Sequence, residues 1–324
     1  WLISPVINLD AQSNEYFLFD YNDVNSGGLI ELLYSTDYSG GGSAGDVTSA
    51  LWTSIELDVI DLENVSCFTT LLQRHPSIDI SSINGTSVYF AFKAQAINGI
   101  AKQYQIDNVH IEADYYGAIT TFVNNGGSCS ALKTEIHDVI VNQTKIQYTS
   151  TSYDIWDAIM HTDRRFNDAG NAIVVWDMFT DVPAGAEVFE FDHCTNRDGG
   201  SCPGGEGECY NREHTFPQSW WGGGTAAADT QRVDLHHIVP SDRSLNSSKS
   251  NNPPGIVTTA TTTGSNGFKV GSNPSYPCGG NYYEPIDEYK GDYARMYLYF
   301  GTRYEHNMVA WSTISTEGDC AMSG

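Results

Sequence analysis

The sequence predicts two domains, an all-β sandwich over residues 1–115 and an α+β domain over residues 128–324, joined by a linker at 116–127. Three observations support this division. The chain has 324 residues, which is long for a single small domain. Its first part consists of short strand-like runs separated by Gly, Asn and Ser. Helical periodicity begins only after "YYGAITTFVNNGGS".

Four runs dominate the first domain: "EYFLFDYNDV", "GLIELLYSTDY", "SVYFAFKAQA" and "YQIDNVHIEAD". They are rich in aromatic and β-branched residues, which favour strands, and no amphipathic helix is indicated among them. Several short strands in one domain favour two packed sheets. The order of these runs resembles the jelly-roll modules, of the MAM-like or choice-of-anchor type, that are appended to secreted bacterial enzymes and adhesins.

An accessory domain of this kind can bind a glycan or a cell surface, or it can serve as a folding spacer. The acidic segments "FDYND" and "IELDVIDLE" permit a Ca²⁺ site here, because carboxylate oxygens are the ligands that Ca²⁺ prefers. They do not specify one.

The second domain mixes helical and extended patterns. Apolar residues recur at helical spacing in "SALKTEIHDVIVNQ", "SYDIWDAIMH" and "GDYARMYLYFGTRYE", which predicts three helices. On the third helix, one side is expected to carry Ala294, Tyr297, Leu298 and Gly301. "NAIVVWDMF" predicts a buried strand. Residues 181–210 and 256–283, rich in Gly, Ser, Asn or Thr, predict long loops.

The charge is strongly negative, with 16 Lys and Arg against 40 Asp and Glu and a net charge of −24. Residues 1–115 hold 3 basic and 15 acidic residues and the remainder 13 and 25, so each part carries −12. This balance argues against nucleic-acid binding through a broad basic face. It leaves room for a local site, because salt screens charges beyond about 8–10 Å. No apolar run approaches the ~18 residues of a membrane helix, and we expect a monomer that does not bind a membrane.

Seven cysteines are present: Cys67, Cys129, Cys194, Cys202, Cys209, Cys278 and Cys320. Three of them lie in the Gly-rich "CTNRDGGSCPGGEGEC" at spacings of eight and seven, wider than a structural zinc site usually shows. We therefore favour disulfides over zinc, with the pairing left open. The odd number leaves one thiol unpaired or paired outside this chain.

Two stretches carry the chemistry. "NREHTFPQSWW", residues 211–221, places Glu213 and His214 side by side. About twenty residues later comes "DLHHIVPSDRSLNSSKSNNPPG", residues 234–255. Its first part, "VDLHHIV", predicts a strand that can pair with "REHTF" as a hairpin.

A helix is predicted directly after this strand. Pro240 should break the strand, and Ser241 can cap a helix over about 241–250. Residues three apart on a helix lie on roughly one face. Arg243, Asn246 and Lys249 are spaced in this way, so an amide is expected between two cations.

Strand, strand and helix, with a His on the first strand and an Asn on the helix, form the arrangement of a ββα-metal nuclease. The Arg-Glu-His, Asp-Leu-His-His and Leu-Asn-Ser-Ser-Lys-Ser-Asn pieces closely resemble the bacterial endonuclease I family of secreted and periplasmic non-specific nucleases. "YEPIDEYKGDYARMYLYFGTRYE" resembles the C-terminal helix of that family, and the resemblance covers roughly 128–306. It implies a secreted, extracellular, metal-dependent endonuclease that cleaves DNA, with RNA as an alternative substrate, to 5′-phosphate and 3′-hydroxyl ends.

The resemblance also implies roles for three side chains. His214 would be the general base, and the ordinary histidine pKa of ~6.5 suits this work. Glu213 and Asn246 would hold one divalent cation, with Mg²⁺ expected and Mn²⁺ or Ca²⁺ able to take its place. Neighbours on a flat strand point to opposite faces. Glu213 and His214 can therefore share a site only where the strand twists or ends, or where the metal lies at its edge.

Further roles are expected for five residues. From their charge and helix spacing, Arg212, Arg243 and Lys249 are predicted to contact phosphates. Asp234 and His236 are predicted to orient the residues that bind the metal and the water.

Two other classes of protein compete with this interpretation. A zinc hydrolase could use Glu213 and His214 with His236 or His237, although the HExxH pattern of the commonest zinc proteases is absent. A surface-binding protein with an inactive second domain is the other alternative. The presence of Glu213, His214 and Asn246 together argues against it.

Overall fold

The structure is a computed structural model, and it describes residues 1–10, 15–23, 29–55, 57, 73–74, 77–95, 104–113, 117–142, 145–151, 153–223, 230–276 and 279–322. The chain divides into two compact units, Trp1–Thr121 and Phe122–Gly324. Within the described ranges, no helix has the length and apolar character needed to cross a membrane.

The first unit is built mainly from strands. Its elements are β1 (Leu2–Ile3), β2 (Glu15–Asp23), β3 (Leu29–Ser35), α1 (Ala44–Ser49), β4 (Thr53–Ile55), β5 (Gln73–Arg74), β6 (Ile78–Asp79), β7 (Tyr89–Gln95) and β8 (Tyr104–Ala113). One antiparallel sheet has the order β1-β7-β3-β4, and in the other β2 pairs with β5, β6 and β8. Strands β2, β3, β7 and β8 lie in the four runs that the sequence singles out.

Aromatic side chains from the two sheets form the core of the first unit. The rings of Phe17 and Phe90 lie 4.8 Å apart, as do those of Phe19 and Phe92. Because β2 and β7 belong to different sheets, these contacts pack one sheet on the other. The pattern agrees with an all-β unit, and its jelly-roll topology stays a prediction. Most of the acidic segment 55–63 lies outside the described residues.

Two helices differ from the sequence-based expectation. Helix α1 was not predicted. Its start is fixed by a capping box, in which Ser43 Oγ accepts from the Asp46 amide and the Asp46 carboxylate accepts from the Ser43 amide, both at 3.1 Å. With one buried residue, Val47, the helix shows no apolar periodicity. The predicted linker 116–127 contains a second helix, α2 (Gly117–Asn124).

The second unit is α+β. Its elements are α3 (Cys129–Ile140), α4 (Ile155–Thr162), β9 (Arg164–Phe166), β10 (Ile173–Val175), β11 (Tyr210–His214), β12 (Ile238–Asp242), α5 (Arg243–Lys249), β13 (Thr259–Thr263), β14 (Lys269–Ser272), β15 (Asn281–Glu284), α6 (Lys290–Arg303), α7 (Glu305–Trp311) and α8 (Thr316–Met322). The three predicted helices correspond to α3, α4 and α6, and β10 is the predicted buried strand. In the loop before β11, Cys202 and Cys209 form a disulfide. Cys67 and Cys278 lie outside the described residues.

The prediction of a long loop at 256–283 is wrong. Strands β13, β14 and β15 form an antiparallel sheet there. The segment Thr259–Thr263 is a run of β-branched threonines that fits a pleated strand, although its composition suggests a loop. The backbone of Gly271 passes so close to Thr259 that a side chain would not fit. Gly271 therefore serves strand packing and does not mark a loop.

The side of α6 that the sequence singled out is only partly buried. Leu298 is 72% exposed and Ala294 is exposed, whereas Tyr293 and Phe300 are buried. Phe300 packs on Phe216 with ring centroids 4.2 Å apart. The helix thus buries its aromatic face, because stacking against the aromatic segment after β11 covers more surface than a leucine would.

Strands β11 and β12 form an antiparallel hairpin that continues directly into α5. Val239 lies opposite Glu213, and Ile238 lies opposite His214. The strand runs through Pro240, as the edge of a two-stranded sheet permits. The helix cap is Asp242, not Ser241 as predicted, because the Asp242 carboxylate accepts from the Leu245 amide at 2.9 Å.

Candidate active site

Glu213 is a buried carboxylate that pairs with a buried cation. Lys249 Nζ lies 2.5 Å from Glu213 Oε1, and the Lys249 side chain is 0% exposed. Burial raises the pKa of Glu213, while the charge of Lys249 and the hydrogen bonds from Lys249 and Asn246 act in the opposite direction. The predicted contact of Lys249 with a substrate phosphate is wrong, because its ammonium group is enclosed and already paired.

Asn246 lies beside this carboxylate. Its side chain hydrogen-bonds to Glu213, and its Nδ2 donates to Asn211 Oδ1 at 2.6 Å. Asn211 and Glu213 are two residues apart on β11, so their side chains lie on the same face of the strand, the face toward α5. Helix α5 follows β12 without a loop, and this places Asn246 against the same face of the strand. The structure thus brings two of the predicted metal-binding side chains together.

These residues fit a hard divalent cation. Glu213 Oε1 is buried, and among the described residues no hydrogen bond of acceptable geometry reaches it, although Lys249 lies close. A carboxylate and an amide oxygen are ligands that Mg²⁺ and Ca²⁺ accept. For its side-chain oxygen to face a cation, the Asn246 amide group has to flip so that its oxygen and nitrogen exchange places. This flip leaves the heavy-atom positions almost unchanged. Any cation here would share the Glu213 carboxylate with Lys249.

His214 ends β11 and points to the other face of the strand. Its Nε2 lies 3.0 Å from the Arg232 carbonyl oxygen, which can only accept, so Nε2 carries the proton. The Gln218 side-chain amide donates to Nδ1 at 3.1 Å. Burial, with help from neighbouring His237, lowers the pKa of His214 to about 3. The imidazole is therefore neutral near pH 7, with its lone pair on Nδ1.

Two arginines lie beside this imidazole. The guanidinium groups of Arg212 and Arg232 lie 3.7 and 4.0 Å from the centre of the Tyr148 ring, which itself stacks on His214 at 5.8 Å. Arg212 also lies over Trp156 and donates to the Tyr148 carbonyl oxygen. Burial lowers the pKa of Arg212. A concentrated positive charge next to a neutral base suits an anionic substrate, on a chain whose net charge is −24.

Arg243 lies on the same helix as Asn246, and the structure gives it a partner. Its Nε lies 3.0 Å from Asp198 Oδ2, and its side chain is 38% exposed. The predicted phosphate contact would compete with this exposed ion pair, which is weak in water. Arg243 is therefore available to a substrate in a way that Lys249 is not.

The described contacts of Asp234 and His236 are with α6 and its end, and their predicted role in orienting the metal and water ligands stays a prediction. Asp234 is fully buried and accepts hydrogen bonds from Tyr299 and Tyr304 on and beside α6, at 3.0 and 2.9 Å. Burial alone would raise the pKa of Asp234, but the hydrogen bond from His236 and the charge of Arg303 hold it below its ordinary value. His236 is exposed and stacks on Tyr299. Their contacts anchor α6, and those described do not reach Glu213, His214 or Asn246.

Three residues that do touch the candidate ligands were not predicted: Asn211, Gln218 and Arg232. Asn211 could have been found from its spacing, because residues two apart on a strand share a face. Gln218 and Arg232 carry no such signal. They reach His214 through a short helical turn at Gln218–Trp221 and another at Gln231–Val233, whose positions depend on the tertiary fold.

Two proteins named extracellular ribonucleases are similar to this chain. An extracellular ribonuclease of Bacillus amyloliquefaciens is 31% identical over 186 residues, covering 56% of this chain and 52% of the relative. An extracellular ribonuclease of Bacillus subtilis (strain 168) is 28% identical over 185 residues, covering 56% and 51%. The chain thus spans about half the length of these relatives. No solved structure matches it.

The family comparison covers most of the second unit. The family described as Endonuclease I matches residues 128–322, which include both strands of the hairpin and α5. This match spans more than half of the chain. The protein therefore belongs to the endonuclease I family.

Proposed function

We propose that the second unit is a secreted endonuclease that hydrolyses phosphodiester bonds of DNA and RNA with the help of one divalent cation, leaving 5′-phosphate ends. The observation that carries this proposal is the state of His214, a neutral imidazole whose lone pair on Nδ1 lies beside two arginines. The preceding residue on the same strand, Glu213, is a buried carboxylate that meets Asn246. The two relatives named extracellular ribonucleases support secretion and the inclusion of RNA.

In the proposed reaction, His214 Nδ1 takes a proton from the attacking water. The Gln218 amide that now donates to Nδ1 has to give way to that water. The Arg232 carbonyl oxygen keeps the imidazole oriented by accepting from Nε2. As the water oxygen bonds to phosphorus, the bond from phosphorus to the 3′ oxygen breaks. The departing 3′ oxygen takes a proton from solvent water, and the His214 imidazolium afterwards returns its proton to solvent. The negative phosphate stabilises the imidazolium that forms and raises the low pKa of the free site.

Glu213 and Asn246 would hold the cation, with Mg²⁺ expected and Mn²⁺ or Ca²⁺ as alternatives. When bound, this cation would neutralise charge on the phosphate and stabilise the departing 3′ oxygen. Glu213 and His214 face opposite sides of β11, so the scissile phosphate has to lie across the end of the strand to reach both. Arg212 and Arg232 lie on the His214 side and are the proposed phosphate contacts.

The geometry does not favour a zinc hydrolase at this site. His237 Nε2 is bonded to the Gln231 carbonyl oxygen at 2.7 Å, and His236 stacks on Tyr299 at the surface. Over the described residues, the group of three His, Cys, Asp or Glu side chains close enough to hold one ion lies elsewhere in the second unit. For the first unit, binding of a glycan, a cell surface or Ca²⁺ remains a proposal from the sequence alone, as does a monomeric state.

Incubation of the purified protein with supercoiled DNA, and separately with RNA, tests this proposal. We expect nicking and then degradation of the DNA, and cleavage of the RNA, in Mg²⁺. EDTA should stop both reactions and excess Mg²⁺ should restore them, because the proposed ligands are few and the ion can leave. End-labelling should find 5′-phosphates. Equal cleavage with and without EDTA would contradict the role of the cation, and cleavage of neither polymer would contradict the function.

A further inference from the structure

A second group of potential metal ligands lies away from the active site. His137 is in the last turn of α3, whereas Glu305 and His306 begin α7. One ligand atom from each of the three side chains lies within 4.8 Å of those from the other two. None of the three contacts Glu213, His214 or Asn246 in the described interactions, so the proposed reaction does not account for their convergence.

The hydrogen bond of His137 to Asp138 gives its ring the protonation state that a metal ligand needs. It is buried, and its Nδ1 lies 3.0 Å from Asp138 Oδ1. A carboxylate only accepts, so Nδ1 carries the proton and the lone pair is on Nε2. A histidine that binds a metal commonly donates its other ring N–H to a carboxylate in this way. The His306 ring lies with its centre 4.7 Å from that of His137, tilted by 68°.

Glu305 contributes a buried carboxylate oxygen to this group. Its side chain is 12% exposed, and its Oε1 is buried with no hydrogen-bond partner among the described residues. A buried carboxylate oxygen without a partner is costly unless a cation neutralises it. The nearby nitrogens are too distant to satisfy this carboxylate, since Lys133 Nζ is 4.0 Å from Oε2 and His306 Nε2 is 3.9 Å from Oε1.

We propose that His137, Glu305 and His306 form a zinc site that joins α3 to α7. Two imidazole nitrogens and one carboxylate oxygen are a common zinc ligand set, with water in the fourth position. Ligand atoms at about 2.0–2.1 Å in a tetrahedron lie roughly 3.4 Å apart, so a small closure suffices. The His306 side chain is 70% exposed and has room to make that movement. The nitrogen ligands distinguish this site from the all-oxygen pair of Glu213 and Asn246.

Calorimetric titration of Zn²⁺ into the whole protein, with Mg²⁺ in excess, tests the proposal. Wild type should bind one equivalent that His306→Ala lacks, and zinc should raise the Tm of wild type more than that of the variant. Asp138→Asn should weaken the same binding by about 10–100-fold, because it frees the orientation of His137. His110→Ala, an exposed histidine of the first unit, serves as the matched control and should bind zinc like wild type.

Equal zinc stoichiometry in wild type and His306→Ala would overturn the proposal, as would the absence of zinc binding by wild type. A zinc-free melting curve checks that His306→Ala is folded, and His306→Gln provides a second variant of similar size. Cleavage of DNA in Mg²⁺ should be unchanged in these variants. The zinc site and the nuclease function can therefore fail independently.

Discussion

Replacement of His214 with alanine is expected to lower kcat for DNA cleavage by a factor of about 10²–10⁴, the usual contribution of a positioned general base. The hydrogen bond from His214 Nε2 to the Arg232 carbonyl oxygen places the lone pair on Nδ1, where it can accept a proton from water. The measurement is the initial rate of nicking of supercoiled DNA at saturating Mg²⁺.

Two comparisons make this result specific. His110→Ala, in the first unit, should cleave at the wild-type rate. The melting temperature of His214→Ala should show a folded protein, because the pocket keeps its aromatic walls of Tyr148 and Trp221. A folded His214→Ala that nicks DNA at the wild-type rate would remove His214 from the mechanism.

The pH dependence of kcat/KM follows from the same site. A base works when deprotonated, so its activity is present above its pKa in the folded enzyme and lost as the pH falls through that value. Burial lowers the pKa of His214 to about 3 and raises that of Glu213. The acid limb should therefore come from protonation of Glu213, and higher Mg²⁺ should move it to lower pH, because protons and metal compete. A limb near 6.5 that ignores Mg²⁺ would instead identify an unperturbed histidine.

Lys249→Met is expected to lower the free energy of unfolding by about 3–5 kcal/mol. The substitution removes one partner of a buried ion pair and leaves the Glu213 carboxylate buried without its cation. Urea unfolding followed by circular dichroism gives the value. The matched control is Arg243→Met on the same helix, which breaks an exposed pair with Asp198 and should cost no more than about 1 kcal/mol.

The double variant Glu213→Gln with Lys249→Met isolates the cause. Removing both charges should recover much of the lost stability, because neither partner is then left charged in a dry environment. If Lys249→Met is as stable as Arg243→Met, then Lys249 does not neutralise Glu213, and its interpretation as a structural cation is wrong.

The sequence predicted a pair of strands followed by a helix because their signals are local, but two boundaries were wrong. Of "VDLHHIV", only Ile238 and Val239 lie in β12, which continues through Pro240, and the helix cap is Asp242 instead of Ser241. The identities of Glu213, His214 and Asn246 came from the order of short pieces that resemble a family. The structure adds which of these side chains contact one another. Asn246 hydrogen-bonds to Glu213, whereas His214 lies on the other face of the strand and hydrogen-bonds to the Arg232 carbonyl oxygen.

The environment of Lys249 could not be predicted from spacing. A three-residue interval places Arg243, Asn246 and Lys249 on one side of a helix, but it does not say how that side tilts toward the core. In the structure the helix descends from the exposed Arg243 to the enclosed Lys249, which lies over the Tyr283 ring at 4.9 Å. Spacing along α6 likewise does not say which side of the helix is buried, since aromatic packing across the unit decides it.

The most direct test of the cation site is the Mg²⁺ dependence of DNA cleavage by Asn246→Ala. If Glu213 and Asn246 hold the cation together, the Mg²⁺ concentration for half-maximal rate should rise by at least about tenfold, as expected for loss of a group that supports a metal. Ser247→Ala, the exposed neighbour on α5, should match wild type. An Asn246→Ala enzyme with the wild-type Mg²⁺ curve would show that the amide binds no cation and would contradict the proposed site.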